Sequence, residues 1–299
     1  MAYHVPALLE ESIDGLNIKP SGIYVDVTFG GGGHSKEILK ALGPDGKLIA
    51  FDRDEESAKN VPDDKRITFL NQNFRFLKNN LKFNGVEQID GLLADLGVSF
   101  HQFDDASRGF SFRMDCDLDM RMNRDASIDA SYLVNNMDED SLADIFYSYG
   151  ELQASKQIAK AIVDARSKKA IKTANDLMDV LQKFAPFGKE NKFYAKVFQA
   201  LRIEVNGEIK ALKEMLTQSL DVLKSKGRLV VITYHSLEDR LVKNFMRTGN
   251  FEGELEKDFY GNVKTPFYVE NKKGVVPSDE EIARNNRARS ARLRVAEKN

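Results

Sequence analysis

An alternation of short apolar runs with helix-like segments constrains this chain more than any other feature. The runs at residues 23–27, 47–51, 66–70 and 89–96 are separated by helix-like stretches at 35–42, 54–59 and 74–83. That order reads βαβαβαβ, which predicts a mostly parallel sheet with helices on both faces. The rhythm stops near residue 104. Four helical stripes follow: Leu142, Ile145, Phe146 and Tyr149; Leu152, Ile158, Ile162 and Ala165; Leu177, Leu181 and Phe184; then Phe193, Val197 and Leu201. Thr173 and Asp176 stand at capping-box spacing before the third. The α/β pattern then returns. Ile209, Leu212, Leu216, Leu220 and Leu223 share a helix face, GRLVVITYH reads as a buried strand, and PFYVE and RLRVAE are strand-like. The expected organisation is a discontinuous Rossmann-like α/β domain, 1–103 and 207–299, interrupted by an all-helical insertion, 104–206.

The first strand runs straight into TFGGGGHS, residues 28–35. In an open parallel sheet ligands lie beyond the carboxyl ends of the strands, where the first strand turns into its helix. Glycines there permit positive φ and close approach to the backbone, and the helix N-terminus attracts an anion. About twenty residues on, Asp52 ends the run KLIAFD, the position of a carboxylate that accepts hydrogen bonds from ribose hydroxyls. A dinucleotide fingerprint needs a third glycine, but counting from Gly30 that position is Ser35, and no phosphate-loop motif occurs anywhere. S-adenosylmethionine carries a ribose and only one anion, its amino-acid carboxylate, so it fits better than NAD. A merely flexible turn is the competing explanation.

Asp95 closes the fully apolar fourth run, at the carboxyl end of the sheet. A buried carboxylate there needs a partner. It either caps the following turn or meets the cofactor or a reacting amine. Bulk properties narrow the class of protein. The 299 residues carry a net charge of −2, and one cysteine rules out a disulfide framework, pointing to a reducing cytoplasm. The N-terminus lacks a signal peptide's features, and no apolar run is long enough to span a membrane. Four scattered histidines and Cys116 show no zinc-site spacing, so no protein-bound metal is expected.

The blocks HVPALLEE, YVDVTFGGGGHS, FDRD, ADLGVS, RGFSF, LDMRM, YGE, KVFQALRIEVN, HSLEDRLVK and RARSARLRVAE occur in order from His4 to the last residues. Together they resemble the bacterial 16S ribosomal RNA cytosine-N4 methyltransferase family, the MraW type. The resemblance implies a class I S-adenosylmethionine-dependent fold with a helical insertion for RNA recognition. It also implies methylation of the exocyclic N4 of one cytosine in the decoding region of 16S RNA, tuning the ribosomal P site. Its cofactor positions fall on Gly32, Gly33, His34, Asp52, Phe74, Asp95 and Gln102. The chain departs from the family's usual pattern at Phe100 and His101, at Cys116 and Asp117, at Asn286 and at Ala288.

The residues themselves bear on the chemistry. Methylation at C5 of a pyrimidine needs a cysteine thiolate. Cys116 is the one candidate, and its neighbours Asp115 and Asp117 disfavour the thiolate. Direct transfer to an amine remains. The cytosine amine is a poor nucleophile that needs acceptors for its N–H groups. Asp95 is expected to supply one, and His235, at the end of the fifth strand, a second polar group. Ser236 with Asp239 offers a plain helix-capping alternative for that motif. The tail holds Arg284, Arg287, Arg289, Arg292, Arg294 and Lys298 against Glu281 and Glu297, a stripe suited to phosphates or simply a solvated surface. Arg287 and Arg289 are the expected RNA contacts there, and Arg108 and Arg202 those in the insertion. The partner would be 16S RNA within the assembled small subunit, the protein acting as monomer or homodimer. Two rivals are a non-catalytic ribosome-assembly factor and a nicotinamide-dependent oxidoreductase.

Overall fold

A computed structural model describes residues 6–98, 105–257, 259–261 and 263–299. The chain forms two compact units: Met1–Gly97 with Ile209–Asn299, and Val98–Glu208. Among the described residues no helix is long and apolar enough to cross a membrane.

The first unit is built on a seven-stranded sheet. Its strands are β1 (Ile23–Asp26), β2 (Lys47–Asp52), β3 (Ile67–Asn71), β4 (Ile89–Asp95), β5 (Leu223–Thr233), β6 (Phe267–Tyr268) and β7 (Arg292–Lys298). Their order is β3-β2-β1-β4-β5-β7-β6. The first five pair in parallel, and β7 runs antiparallel to both β5 and β6. The period of two in the apolar runs explains the layering. Leu92 and Ala94 of β4, with Leu229 and Val231 of β5, enter the core on one face. Leu93, Val230 and Ile232 enter the core on the other. Helices α1 (Leu9–Leu16) and α2 (Gly33–Ala41) cover the second face; α3 (Leu77–Phe83), with α9 (Glu208–Val222) from Leu212 onward, covers the first.

The expected helix at 54–59 is a 3₁₀ turn, Glu55–Asn60. Asp54 caps it and Pro62 follows closely, leaving too few residues for two α-turns. The short helix α1 had no expectation attached.

The second unit is all-helical: α4 (Ala130–Asn136), α5 (Glu139–Ser148), α6 (Ser155–Arg166), α7 (Ala174–Leu181) and α8 (Glu190–Asn206). The stripes meet in one core that includes Phe146, Ile158, Ile162, Leu177, Val197 and Leu201. The Thr173–Asp176 capping box is present at the start of α7. Gly207 ends α8 with φ 58°, a conformation costly for a residue with a Cβ.

Candidate functional site

Two turns at the carboxyl ends of β1 and β4 build the site. Asp26 ends β1 fully buried. It accepts hydrogen bonds from the Thr28 N–H at 3.0 Å and the Ser35 hydroxyl at 2.7 Å. These bonds tie the strand to the first turn of α2, and burial still pushes the Asp26 carboxyl up to about 6. The loop between turns through Gly30 (φ 51°) and Gly32 (φ 75°). A Cβ on Gly33 would stand 2.2 Å from Cγ of Pro6, so this glycine admits the N-terminal segment. No side chain caps α2. Its first N–H groups and the positive end of the helix dipole are therefore suited to a carboxylate.

His34, in the first turn of α2, is buried, and among the described residues its Nε2 has no hydrogen-bond partner. Burial holds its pKa down to about 4, so the imidazole is neutral at physiological pH. Its Nδ1 lies 3.8 Å from Asp95 Oδ2. Asp52, at the end of β2, accepts from the N–H groups of Gly30 at 2.7 Å and Asp54 at 2.9 Å. Burial raises its pKa. Phe74, half-buried, follows β3 in the 3₁₀ turn Phe74–Phe76. Gln102 lies outside the described residues.

Asp95 is held by two hydrogen bonds. Its N–H donates to Thr28 Oγ1 at 2.6 Å, and its Oδ1 accepts from the Tyr234 hydroxyl at 2.8 Å. Its side chain is 22% exposed. Burial drives its pKa up to about 7; the Tyr234 hydrogen bond opposes the rise, and repulsion from Asp26 and Glu238 adds to it. Tyr234 and Asp26 carried no expectation from the sequence. The pairing of β4 with β5, Asp95 against Ile232, brings Tyr234 to Asp95, and an alternating strand pattern does not announce such a contact.

His235 is placed differently from its expectation. It is the N-cap of α10 (Ser236–Thr248), its Nδ1 accepting the Glu238 N–H at 3.4 Å. The cap is therefore His235 rather than Ser236. That acceptor role puts the ring proton on Nε2, which stands 3.1 Å from Glu238 Oε1. The other carboxylate oxygen of Glu238 receives the Tyr234 N–H. Both ring nitrogens thus lie against Glu238, with Nδ1 serving as the helix cap.

The arginines also correct the expectation. Arg108 is buried, its Nη2 donating to the carbonyls of Arg121 and Met122 at 3.1 Å. Arg202 forms a two-pronged pair with Glu208, both bonds 2.9 Å. These bonds engage Arg108 Nη2 and Arg202 Nε and Nη2 inside the helical unit, an arrangement unlike the exposed phosphate contacts expected of them. In the tail, Arg294 is buried in a bidentate pair with Asp239, and Lys298 donates to the Leu220 and Leu223 carbonyls. The exposed members of that stripe are Arg284, Arg287 and Arg289.

The groups present fit S-adenosylmethionine. The uncapped helix suits a carboxylate, the half-satisfied His34 offers a polar contact, and Asp52 and Asp95 are carboxylates whose raised pKa values a cation or hydroxyl partners would relieve. A parallel sheet of this order with its one antiparallel strand, and a glycine turn followed by an acid at the end of β2, define a class I S-adenosylmethionine-dependent methyltransferase. The chain belongs to the MraW methylase family, whose model matches residues 1–299. Three relatives are each called ribosomal RNA small subunit methyltransferase H. That of Parabacteroides distasonis is 60% identical, covering 99% of this chain and 97% of its own. Those of Bacteroides thetaiotaomicron and Flavobacterium johnsoniae are each 56% identical, covering 100% of this chain and 98% of their own.

Proposed function

We propose that this chain methylates the exocyclic N4 of a cytosine in the decoding region of 16S ribosomal RNA, within the small subunit. The observation that carries this is Asp95, fixed at the carboxyl end of β4 with one oxygen bonded to Tyr234 and the other turned toward His34. Bound S-adenosylmethionine supplies an electrophilic methyl group on a sulfonium. Gly32, Gly33 and His34 would hold its amino-acid end, Asp52 its ribose and Phe74 its adenine; Gln102 is carried in the same set on resemblance alone.

Asp95 accepts an N–H of the cytosine amine, freeing the nitrogen lone pair to point away from the ring. Alignment of this kind accounts for roughly 7–11 kcal/mol of a barrier between well-held reactants. No strong base is required, because the amine proton becomes acidic only as the new N–C bond forms. Asp95, whose ordinary oxygen lone pairs face it, takes that proton or passes it to water. His235 and Glu238 keep the end of β5 in place beside it. Cys116 supports transfer to nitrogen over C5, since burial and then Asp115 and Asp117 raise its thiol pKa. Exposed Arg287 and Arg289 remain phosphate contacts in this reading. The names and near-complete coverage of the relatives support the ribosomal substrate.

The test is methylation of small subunits from cells lacking the enzyme, with mass spectrometry of the RNA. N4-methylcytosine at one decoding-region site is expected. Methyl groups on another base refute the N4 assignment. Donor binding without any transfer would favour the assembly-factor reading.

A further inference from the structure

The loop between α7 and α8 carries a feature that the proposed reaction does not use. Phe187 is 100% exposed. Its ring stands at the outer corner of a tight turn, closed by the Lys189 N–H donating to the Pro186 carbonyl at 2.9 Å. Gly188 takes φ 72° in that turn, and its N–H is held by Glu190 at 2.8 Å. The loop is thus fixed by its own hydrogen bonds and holds the ring outward.

Lys183, Lys189 and Lys192 flank the ring against the single acid Glu190, a local net charge of +2. All three lysines are exposed, and among the described residues none has a carboxylate within ion-pair distance. Glu190 is already turned back onto its own helix start. A lone exposed phenylalanine needs no explanation. Lys183 Nζ lies 5.1 Å from the centre of the Phe184 ring, and Lys189 and Lys192 extend from the turn and the helix start. A phenylalanine presented by a rigid turn among lysines that hold no carboxylate has the makings of a stacking platform beside phosphates.

A second exposed aromatic tip makes the contrast. Phe259 and Tyr260 are 98% and 86% exposed. Residues 252–264 around them hold four acids, Glu252, Glu254, Glu256 and Asp258, against Lys257 and Lys264, a net −2 that repels phosphates.

We propose that the Phe187 loop is an RNA contact of the helical unit, with Phe187 stacking on an unpaired base and Lys183, Lys189 and Lys192 on the flanking phosphates. This rests on the ribosomal RNA reading and relocates the unit's RNA contact from Arg108 and Arg202 to this loop. The test uses the full chain and a 5′-labelled, unstructured single-stranded oligoribonucleotide, with affinity measured by fluorescence anisotropy across a salt series. Methyl transfer to small subunits is followed in parallel.

Phe187→Ala is expected to weaken oligonucleotide binding about tenfold, with Phe187→Trp restoring it. Replacing the three lysines by alanine should lower the salt slope by about 2. Affinity for S-adenosylmethionine should stay unchanged in every variant. Wild-type oligonucleotide affinity in the variants overturns the proposal while methylation by the parent leaves the ribosomal reading standing. Effects confined to whole subunits also overturn it, pointing to a ribosomal protein at the loop. A parent that neither binds nor methylates RNA sinks both.

Discussion

The arginines of the helical unit and the carboxylates at the end of the sheet handle charge in opposite ways. In the helical unit, arginines find partners within the unit: Arg121 pairs with Asp119, Arg202 with Glu208, and Arg108 donates to backbone carbonyls. In the sheet unit, Asp26, Asp52 and Asp95 gather at the carboxyl ends of β1, β2 and β4 with hydrogen bonds but, among the described residues, no lysine or arginine paired to them, and burial raises all three pKa values. A closed pair is finished architecture. A buried carboxylate with raised pKa is an arrangement that a ligand completes. Residue type alone therefore misleads: the arginines read as exposed basic groups, and the structure gives them partners inside the helical unit.

The largest effect should come from breaking the open side. Asp95→Asn keeps the shape and the Tyr234 contact but removes the charge and turns an acceptor into a donor. Single-turnover methyl transfer to small subunits should fall by about 10²–10³-fold, the scale of one lost electrostatic contact at a reacting group. A rate within twofold of the parent would remove Asp95 from the chemistry.

A smaller change is expected on the closed side. Arg202→Ala leaves Glu208 largely buried without its partner; their side chains are 15% and 10% exposed. Full burial would cost 3–5 kcal/mol, so this partly solvated pair should cost about 2 kcal/mol of stability in urea unfolding. Affinity for RNA should not change. Intact stability with weakened RNA binding would reverse the contrast drawn between the units.

Much of this architecture was legible because it rests on local periodicity. The runs at β1, β2, β4 and β5 alternate or stay apolar for reasons of burial, and the helical stripes at Leu142–Tyr149 and Phe193–Leu201 follow the 3.6-residue turn. The glycine loop was legible too, although the steric demand at Gly33 comes from Pro6, twenty-seven positions away in sequence. What escaped notice was set by pairing between distant elements. Tyr234 reads as one more β residue until β5 lies beside β4, and Arg202 reads as a basic surface until α8 turns at Gly207 and presents Glu208. His235 in HSLED advertises a polar group, but only the backbone at the helix start shows that Nδ1 is spent as a cap.

The finest distinction concerns how far the open side is tuned from within. The carboxylate of Asp95 must be ionised to accept an amine N–H, so kcat/KM should rise with pH through about 7, the pKa of the ligand-free protein. His34 titrates near 4 and stays neutral over that range. The Tyr234 hydroxyl donates to the charged form of Asp95 and so lowers its pKa. Tyr234→Phe removes that donor. A hydrogen bond to a charged group is worth about 1.5 kcal/mol at the low end, which translates into roughly one pH unit, and the acid limb should move upward by that amount. The plateau above pH 9 should be kept, because Asp95 is then ionised in both proteins. A purely structural role for the tyrosine would lower the plateau and leave the limb in place, and that result would show Asp95 to be set by burial and its acidic neighbours without the tyrosine.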